Sequence, residues 1–425
     1  MAAGEAGSEW RQHWYVLLPC IVGIMLASVQ GYTLGVMIGP IEREFGWARA
    51  EIASGSFIIA CIALIVAPVV GIGVDRVGPR RVALVGVVLF CSALAFISTT
   101  SAHVTSWWTR WAILGVANMF ILPLVWTAAI NSLFEKNRGK ALAIALCGTS
   151  LGATFVPMVT NAMVEAWGWR QAYIGLGVGG AVLLGPVTFF LFRGATDRGR
   201  TVASVAAVTG YSAREGMGRP AFFKLAGAAF VFSLASCALT SNGVPVLIAQ
   251  GLSPAKAAAT VSLIGIGSLI GRLGGGVLLD RFDAKKVAAT SVLAPVVTVI
   301  LLLAFPGQRL QAGLACLVLG LSIGTEVDAC AYLAARHFGM RSFGALFGAI
   351  NGLLLFGTGF SPLASNYVYD VVKSYDPVLW ALIPLCLLTA ILFLALGRYP
   401  VFVAGSPGTT STSIDLPSTH LRMTR

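Results

Sequence analysis

Long apolar runs separated by short polar segments fill almost the whole chain. A helix needs about 20 apolar residues to cross the hydrocarbon core of a bilayer, and twelve runs reach that length. We number them spans 1 to 12: residues 15–39, 52–74, 82–100, 107–132, 139–163, 171–192, 221–249, 255–279, 287–305, 311–335, 342–366 and 377–397. In lipid each helix must satisfy its own backbone hydrogen bonds. The pattern therefore predicts an all-α membrane protein with twelve transmembrane helices in two six-helix bundles.

Composition supports lipid as the main surrounding of this chain. Of the 425 residues, 57% are hydrophobic and 11% are charged, whereas soluble domains carry about 25% charged residues. The eight cysteines all lie in apolar runs without metal-ligand spacing, which predicts small core residues.

The net charge of +12 is unevenly distributed between the two ends of the spans. The termini and the loops on their side hold 21 of the 29 Lys and Arg residues, and the opposite loops hold seven. Positive charge marks the cytoplasmic side. We therefore expect a multi-pass protein of the cell inner (plasma) membrane with both termini in the cytoplasm, and no nucleic-acid partner.

One long polar stretch interrupts the interior and separates six spans from six. The predicted organisation is a cytoplasmic N-terminus (1–14), a six-helix bundle (15–193), a cytoplasmic linker (194–220), a second six-helix bundle (221–398) and a disordered cytoplasmic tail (399–425).

The two halves repeat each other. The loops after spans 2 and 8 share a Gly-x3-Asp-Arg pattern, with Asp75 and Asp280 205 residues apart. A second motif precedes spans 5 and 11, where Arg138 and Arg341 are 203 residues apart. Two motifs at nearly one offset indicate a duplication of six spans, an architecture found in secondary transporters.

Over residues 15–398 the chain resembles the major facilitator superfamily. The loop 71–81, and its repeat in the second half at 276–286, are similar to the signature loop of that superfamily. Within that superfamily, residues 40–47, 271–272 and 324–332 resemble the monocarboxylate porters and their relative, the oxalate:formate antiporter. The resemblance implies transport by alternating access. It also implies gating by the two loops, in which Asp75 would contact a helix N-terminus where the dipole favours an anion. The implied gating residues are Gly71, Asp75, Arg76, Gly78, Arg80, Arg81, Asp280 and Arg281.

Charged residues within the spans of the second half are the strongest candidates for chemistry, since such groups cost about 2.5–3.5 kcal/mol at the bilayer centre. Arg272 in span 8 and Asp328 in span 10 each precede a marker of the cytoplasmic edge, Asp280 and Arg336, by eight residues, or about 12 Å. An ion pair between the spans is therefore possible. Glu326 is about 200° from Asp328 around the helix, so only one of them can approach Arg272, and spacing does not decide which.

Arg272 is predicted to bind the carboxylate of a solute, since guanidinium pairs with carboxylates through two hydrogen bonds. Glu326 or Asp328 would be its counter-ion in the empty state and a proton carrier; a permanent structural ion pair is the alternative. In the antiporter that the chain resembles, a cation on span 11 helps to hold a dicarboxylate. Span 11 here has neither Lys nor Arg, which favours a monocarboxylate.

Polar residues at mid-depth are further candidates for solute binding, or alternatively for hydrogen bonds between helices. They are Gln30, Tyr32, Asn118, Asn242 and Asn351. The resemblance favours Tyr32, because the related carriers place aromatic residues there.

The sequence thus predicts a secondary transporter of a small organic anion, driven by proton symport or anion exchange. We expect no cofactor, no metal and no enzymatic activity, and a protein that functions as a monomer in the bilayer. The first alternative is an exporter of hydrophobic or amphiphilic compounds by proton antiport. A membrane receptor on the same scaffold is the second.

Overall fold

The structure is a computed structural model that describes residues 10–134, 137–193, 210–339 and 341–400. For Pro68, Asp75, Arg138 and Asp280 it describes the backbone alone. Within these ranges, eleven helices are long and apolar enough to cross a membrane. One of them, Gly139–Leu191, has 53 residues and bends at Gly168, where φ is 80°. It supplies spans 5 and 6, so the described residues contain the twelve predicted spans.

The helices extend beyond the predicted apolar runs, because a helix continues from the hydrocarbon core into the headgroup region. In chain order they are Leu17–Phe45, Arg49–Val77, Pro79–Phe96, Val104–Met119, Pro123–Leu133, Arg138–Leu191, Ala213–Met217, Pro220–Ala249, Pro254–Val261, Leu263–Arg281, Ala284–Ser291, Ala294–Ala304, Arg309–Phe338, Phe343–Val372 and Asp376–Leu394. Spans 4, 8 and 9 each consist of two segments. In span 4 the break precedes Pro123, which has no N–H to donate.

The two halves meet along three pairs of spans. Gly35 of span 1 approaches the backbone of Ser241 in span 7, and Gly359 of span 11 approaches Ser56 in span 2. Spans 5 and 8 form the third pair. Small residues let these backbones come close. Such packing matters because the hydrophobic effect does not drive helices together in lipid.

The described end of the predicted linker packs on the second half. Tyr211 donates its backbone N–H to the carbonyl of Phe338 at 3.0 Å, and Ser212 caps the short helix Ala213–Met217. Most of the predicted termini and the first part of the linker, at 1–9, 194–209 and 401–425, lie outside the described residues. The proposed domain boundaries therefore stay predictions.

Candidate functional site

Spans 8 and 10 pack backbone against backbone, in a contact that we call the glycine seam. Its members are Gly267 and Gly271 on span 8 and Gly320 and Gly324 on span 10. A Cβ on Gly271 would overlap the carbonyl of Leu321, and one on Gly324 would overlap the carbonyl of Ser268. The seam fixes both the separation and the rotation of the two helices.

The glycine seam brings the predicted cation of span 8 against one of the two carboxylates of span 10. Nη1 of Arg272 lies 3.4 Å from Oδ1 of Asp328. The Arg272 side chain is 6% exposed and that of Asp328 is 30% exposed. The Nε of Arg272 is buried without a hydrogen-bond partner among the described residues, so the guanidinium keeps free donors.

Glu326 points away from this pair, as its rotation by about 200° requires. It is fully buried, and the thiol of Cys330 donates to its Oε1 at 3.4 Å. Its Oε2 has no hydrogen-bond partner within the described part of the chain. The structure thus answers the question that spacing left open: Asp328 pairs with Arg272, and Glu326 has different neighbours.

The first half closes over this region from spans 1 and 5. Tyr32 of span 1 is half-buried and near enough to Arg272 for electrostatic interaction. The hydroxyls of Ser150 in span 5 and Ser268 in span 8 lie 3.0 Å apart. Arg272 therefore lies close to the contact between the two halves, where an alternating-access transporter binds its solute.

At the predicted periplasmic end, polar groups join the two halves. Both carboxylate oxygens of Asp370 in span 11 accept hydrogen bonds from backbone amides that begin span 2, at 3.1 Å from Arg49 and 2.8 Å from Ala50. The Arg49 side chain donates to Glu42 at 3.0 Å and to the Tyr375 hydroxyl at 3.1 Å. We call this set of contacts the Arg49 network.

The Arg49 network continues inward to Asn242, one of the predicted solute-binding residues. The Tyr375 hydroxyl donates to Oδ1 of Asn366 at 2.9 Å, and Asn366 donates to Oδ1 of Asn242 at 2.7 Å. Burial raises the pKa of Tyr375 to about 12, so its hydroxyl keeps the proton that it donates. Asn242 thus forms hydrogen bonds between helices, the alternative role predicted for these residues.

The remaining predicted polar residues stand apart from these contacts. Asn118 is buried beside the break in span 4, and its Oδ1 lacks a partner among the described residues. Gln30 and Asn351 are half-buried. Neither side chain forms a hydrogen bond with another described residue, so both could contact a solute.

The predicted gating residues lie at the other ends of spans 2 and 8. Gly78 has a φ of 92° and separates spans 2 and 3, while Gly71 faces Leu124 of span 4. Arg76, Arg81 and Arg281 are exposed. The side chains of Asp75 and Asp280 are outside the described atoms, so the contact of Asp75 with a helix N-terminus stays a prediction.

Matching cations in the two loops bind the ends of the last helices of the halves. Arg80 donates to the carbonyl of Phe189 at 2.6 Å, near the end of span 6. Lys285 donates to the carbonyl of Gly397 at 2.7 Å, just after the helix Asp376–Leu394 of span 12. Arg80 and Lys285 each follow the motif aspartate by five residues. A cation at a helix C-terminus is favourable, and its repetition agrees with the duplication inferred from sequence.

Sequence reasoning missed the Arg49 network. A polar cluster at one end of several spans was a possible signal, since Glu42, Arg49, Asp370 and Tyr375 all lie within a few residues of a span end on the same side. The described residues contain no group of three His, Cys, Asp or Glu side chains that could hold a metal ion.

Comparison with known proteins identifies related transporters. The chain is 27% identical over 178 residues to human monocarboxylate transporter 6, covering 41% of this chain and 34% of that protein. It is 23% identical over 400 residues to the 4-hydroxybenzoate transporter PcaK of Pseudomonas putida, covering 83% and 88%. It is 28% identical over 163 residues to the methyl viologen resistance protein SmvA of Salmonella typhimurium, covering 37% and 31%.

The fold is also that of solved transporters. The nucleoside transporter NupG superimposes with a TM-score of 0.71 at 15% identity, over 91% of this chain and 99% of that one. The family model described as Major Facilitator Superfamily matches residues 20–362. The chain therefore belongs to the major facilitator superfamily, a family of membrane transporters and not of enzymes.

Proposed function

We propose that this protein is a secondary transporter of a small organic anion, a monocarboxylate, and that Arg272 binds the carboxylate. The observation that carries the proposal is the single 3.4 Å contact between Arg272 and Asp328, which leaves the buried Nε of Arg272 free. A planar guanidinium with free N–H groups suits a carboxylate. Two relatives are named for carboxylate solutes, a monocarboxylate and 4-hydroxybenzoate.

Coupling follows from the two carboxylates of span 10. Asp328 neutralises Arg272 in the empty state and is released when the solute carboxylate takes its place. Glu326 is fully buried, and the described hydrogen bond to its carboxylate comes from the neutral thiol of Cys330; an isolated charge in such a place is costly. It can therefore carry a proton across, which gives proton symport; anion exchange is the other mode that the same site allows.

Access alternates by rocking of the two halves about the Arg272 site. The Arg49 network closes the predicted periplasmic end, and the loops with Asp75 and Asp280 gate the predicted cytoplasmic end. In this proposal both termini face the cytoplasm, the protein resides in the inner membrane, and the monomer is the functional unit.

Counterflow in proteoliposomes tests the proposal. Purified protein would be given a panel of radiolabelled aliphatic and aromatic acids, with and without a pH gradient. We expect saturable uptake of at least one monocarboxylate, reduced at least tenfold by Arg272→Gln and by Arg272→Lys. Arg309→Gln, at an exposed arginine that begins span 10, is the matched control. Normal uptake by well-expressed Arg272 variants would rule the carboxylate site out.

Export of amphiphilic compounds is the second candidate, favoured by the likeness to a methyl viologen resistance protein. In that case Asp328 would bind a cationic compound and Arg272 would be dispensable. Transport of cationic amphiphiles that resists Arg272→Gln but not Asp328→Asn would support the exporter over the anion transporter.

A further inference from the structure

The contact between spans 5 and 8 runs in a regular register. Thr154 lies against Gly265, where an added Cβ would overlap its hydroxyl. One turn further, the hydroxyls of Ser150 and Ser268 are 3.0 Å apart. The residue numbers fall along span 5 as they rise along span 8, so the two helices are antiparallel and their facing residues can be paired turn by turn.

The next pair in this register is Cys147 and Arg272. Cys147 precedes Ser150 by three residues, and Arg272 follows Ser268 by four, which is one helical turn in each case. The thiol of Cys147 interacts electrostatically with both Arg272 and Asp328. Its described hydrogen bond goes to the carbonyl of Ala143 at 3.2 Å, within its own helix. The first half thus presents a half-buried thiol to the ion pair of the second half.

The surroundings of Arg272 indicate that Cys147 would contact a ligand bound there. On its own half the guanidinium pairs with Asp328. Its buried Nε nevertheless has no partner among the described residues, and span 5 has no charged residue between Lys140 and Glu165. On span 5, a ligand that satisfied this Nε would therefore meet Cys147 and no competing ion.

We propose that Cys147 is the contact of span 5 with the solute carboxylate at Arg272, and that its small side chain sets the size of solute that the site accepts. The inference rests on the proposed function, since it takes Arg272 as the solute-binding group. It adds a specificity-determining residue that neither motif nor composition singled out.

Thiol chemistry tests the placement without knowledge of the solute. In a variant with Cys147 as its sole cysteine, two thiosulfonate reagents would be compared, one bearing a sulfonate and one a trimethylammonium group. The Cys147 thiolate bonds to the sulfenyl sulfur, the S–S bond of the reagent breaks, methanesulfinate leaves, and the thiol proton passes to water. We expect the rate ratio of anionic to cationic reagent to rise about tenfold with Asp328→Asn, which leaves the positive charge of Arg272, and to fall about tenfold with Arg272→Gln, which leaves the negative charge of Asp328. An uncompensated charge beside the thiol acts strongly in a low dielectric.

The controls separate charge from folding. The double variant Arg272→Gln/Asp328→Asn is neutral at the pair and should keep the ratio of the sole-cysteine parent. A sole-cysteine variant with Cys61, half-buried in span 2, should show no change. If the rate ratio of anionic to cationic reagent at Cys147 is unchanged by both single substitutions, the inference is overturned.

Transport supplies the second measurement. Cys147→Leu should lower benzoate uptake at least tenfold more than acetate uptake, whereas Cys61→Leu, the same change at the half-buried cysteine of span 2, should not separate the two acids. Equal effects on both acids would contradict a size-setting role. If Arg272→Gln loses uptake but the ratio of reagent rates at Cys147 does not respond to charge, this inference is refuted and the proposed function stands. Normal uptake in Arg272→Gln would refute the proposed function instead.

Discussion

Asp370 of span 11 caps the first turn of span 2 in the opposite half, with Oδ1 3.1 Å from the backbone nitrogen of Arg49. The residue at the cap position of span 2 is Ala48, whose side chain cannot accept a hydrogen bond. The missing acceptor therefore comes from the other half of the molecule. This cap exists only while the two halves are together at the predicted periplasmic end.

Replacement of Asp370 should shift the protein toward opening at that end. A lost N-cap costs about 0.5–2 kcal/mol, so Asp370→Ala should change the closed-to-open ratio by about fivefold. Pulsed electron spin resonance between labels at Thr105 and Gln308, exposed residues of the two halves on this side, would measure the change. Asp376→Ala, at an exposed acid next to the Arg49 network, is the control. Unchanged distance distributions in Asp370→Ala would show that the cap does not hold this state.

Stability should depend on Arg272 and Asp328 together. Loss of one partner from a buried pair leaves an uncompensated charge and costs on the order of 3 kcal/mol. Arg272→Gln and Asp328→Asn should each lower the unfolding midpoint in detergent, and the double variant should recover most of the loss. Additive losses would mean that the two side chains do not interact in the folded protein.

The glycine seam should tolerate no side chain at its contact points. A Cβ on Gly324 would overlap the carbonyl of Ser268, and overpacking of this kind costs about 1–3 kcal/mol. Gly324→Ala should therefore reduce both the unfolding midpoint and solute binding. Gly274→Ala is the matched control on span 8, where an added Cβ meets nothing within 4 Å, and it should be neutral or stabilising.

Glu326 should affect coupling without affecting solute recognition. Glu326→Gln keeps the shape of the side chain but cannot exchange a proton. We expect solute counterflow at nearly normal rates and loss of accumulation driven by a pH gradient. Glu165→Gln, at an exposed glutamate just after span 5, is the control. If accumulation persists in Glu326→Gln, the proton travels elsewhere or the protein is an exchanger.

Depth in the membrane was predictable from sequence because it follows from counting residues along a helix. That reasoning placed Arg272 and Asp328 at one level, and the structure has them in contact. Rotation about the helix axis depends on packing, so the choice between Asp328 and Glu326 stayed open. A signal was nevertheless present: Gly320, Gly324 and Asp328 are spaced by four and share one face of span 10.

Contacts between spans that are distant in the sequence were beyond the reach of such counting. Asn242 looked like a solute-binding residue at mid-depth, yet its Oδ1 accepts a hydrogen bond from Asn366 in span 11. Asp370 and Tyr375 looked like ordinary residues at the water interface. Their partners at the start of span 2 lie more than 300 positions away in the sequence.

The glycine seam also limits how this transporter could acquire a new selectivity. Spans 8 and 10 hold the charged wall of the site through backbone contacts, so mutations there would disrupt the wall before they reshaped it. Tyr32 and Cys147 stand on the opposite half and are not members of that seam. A directed-evolution library that varies these two positions and spares the four glycines should therefore yield more active variants with altered solute preference than one that randomises span 8.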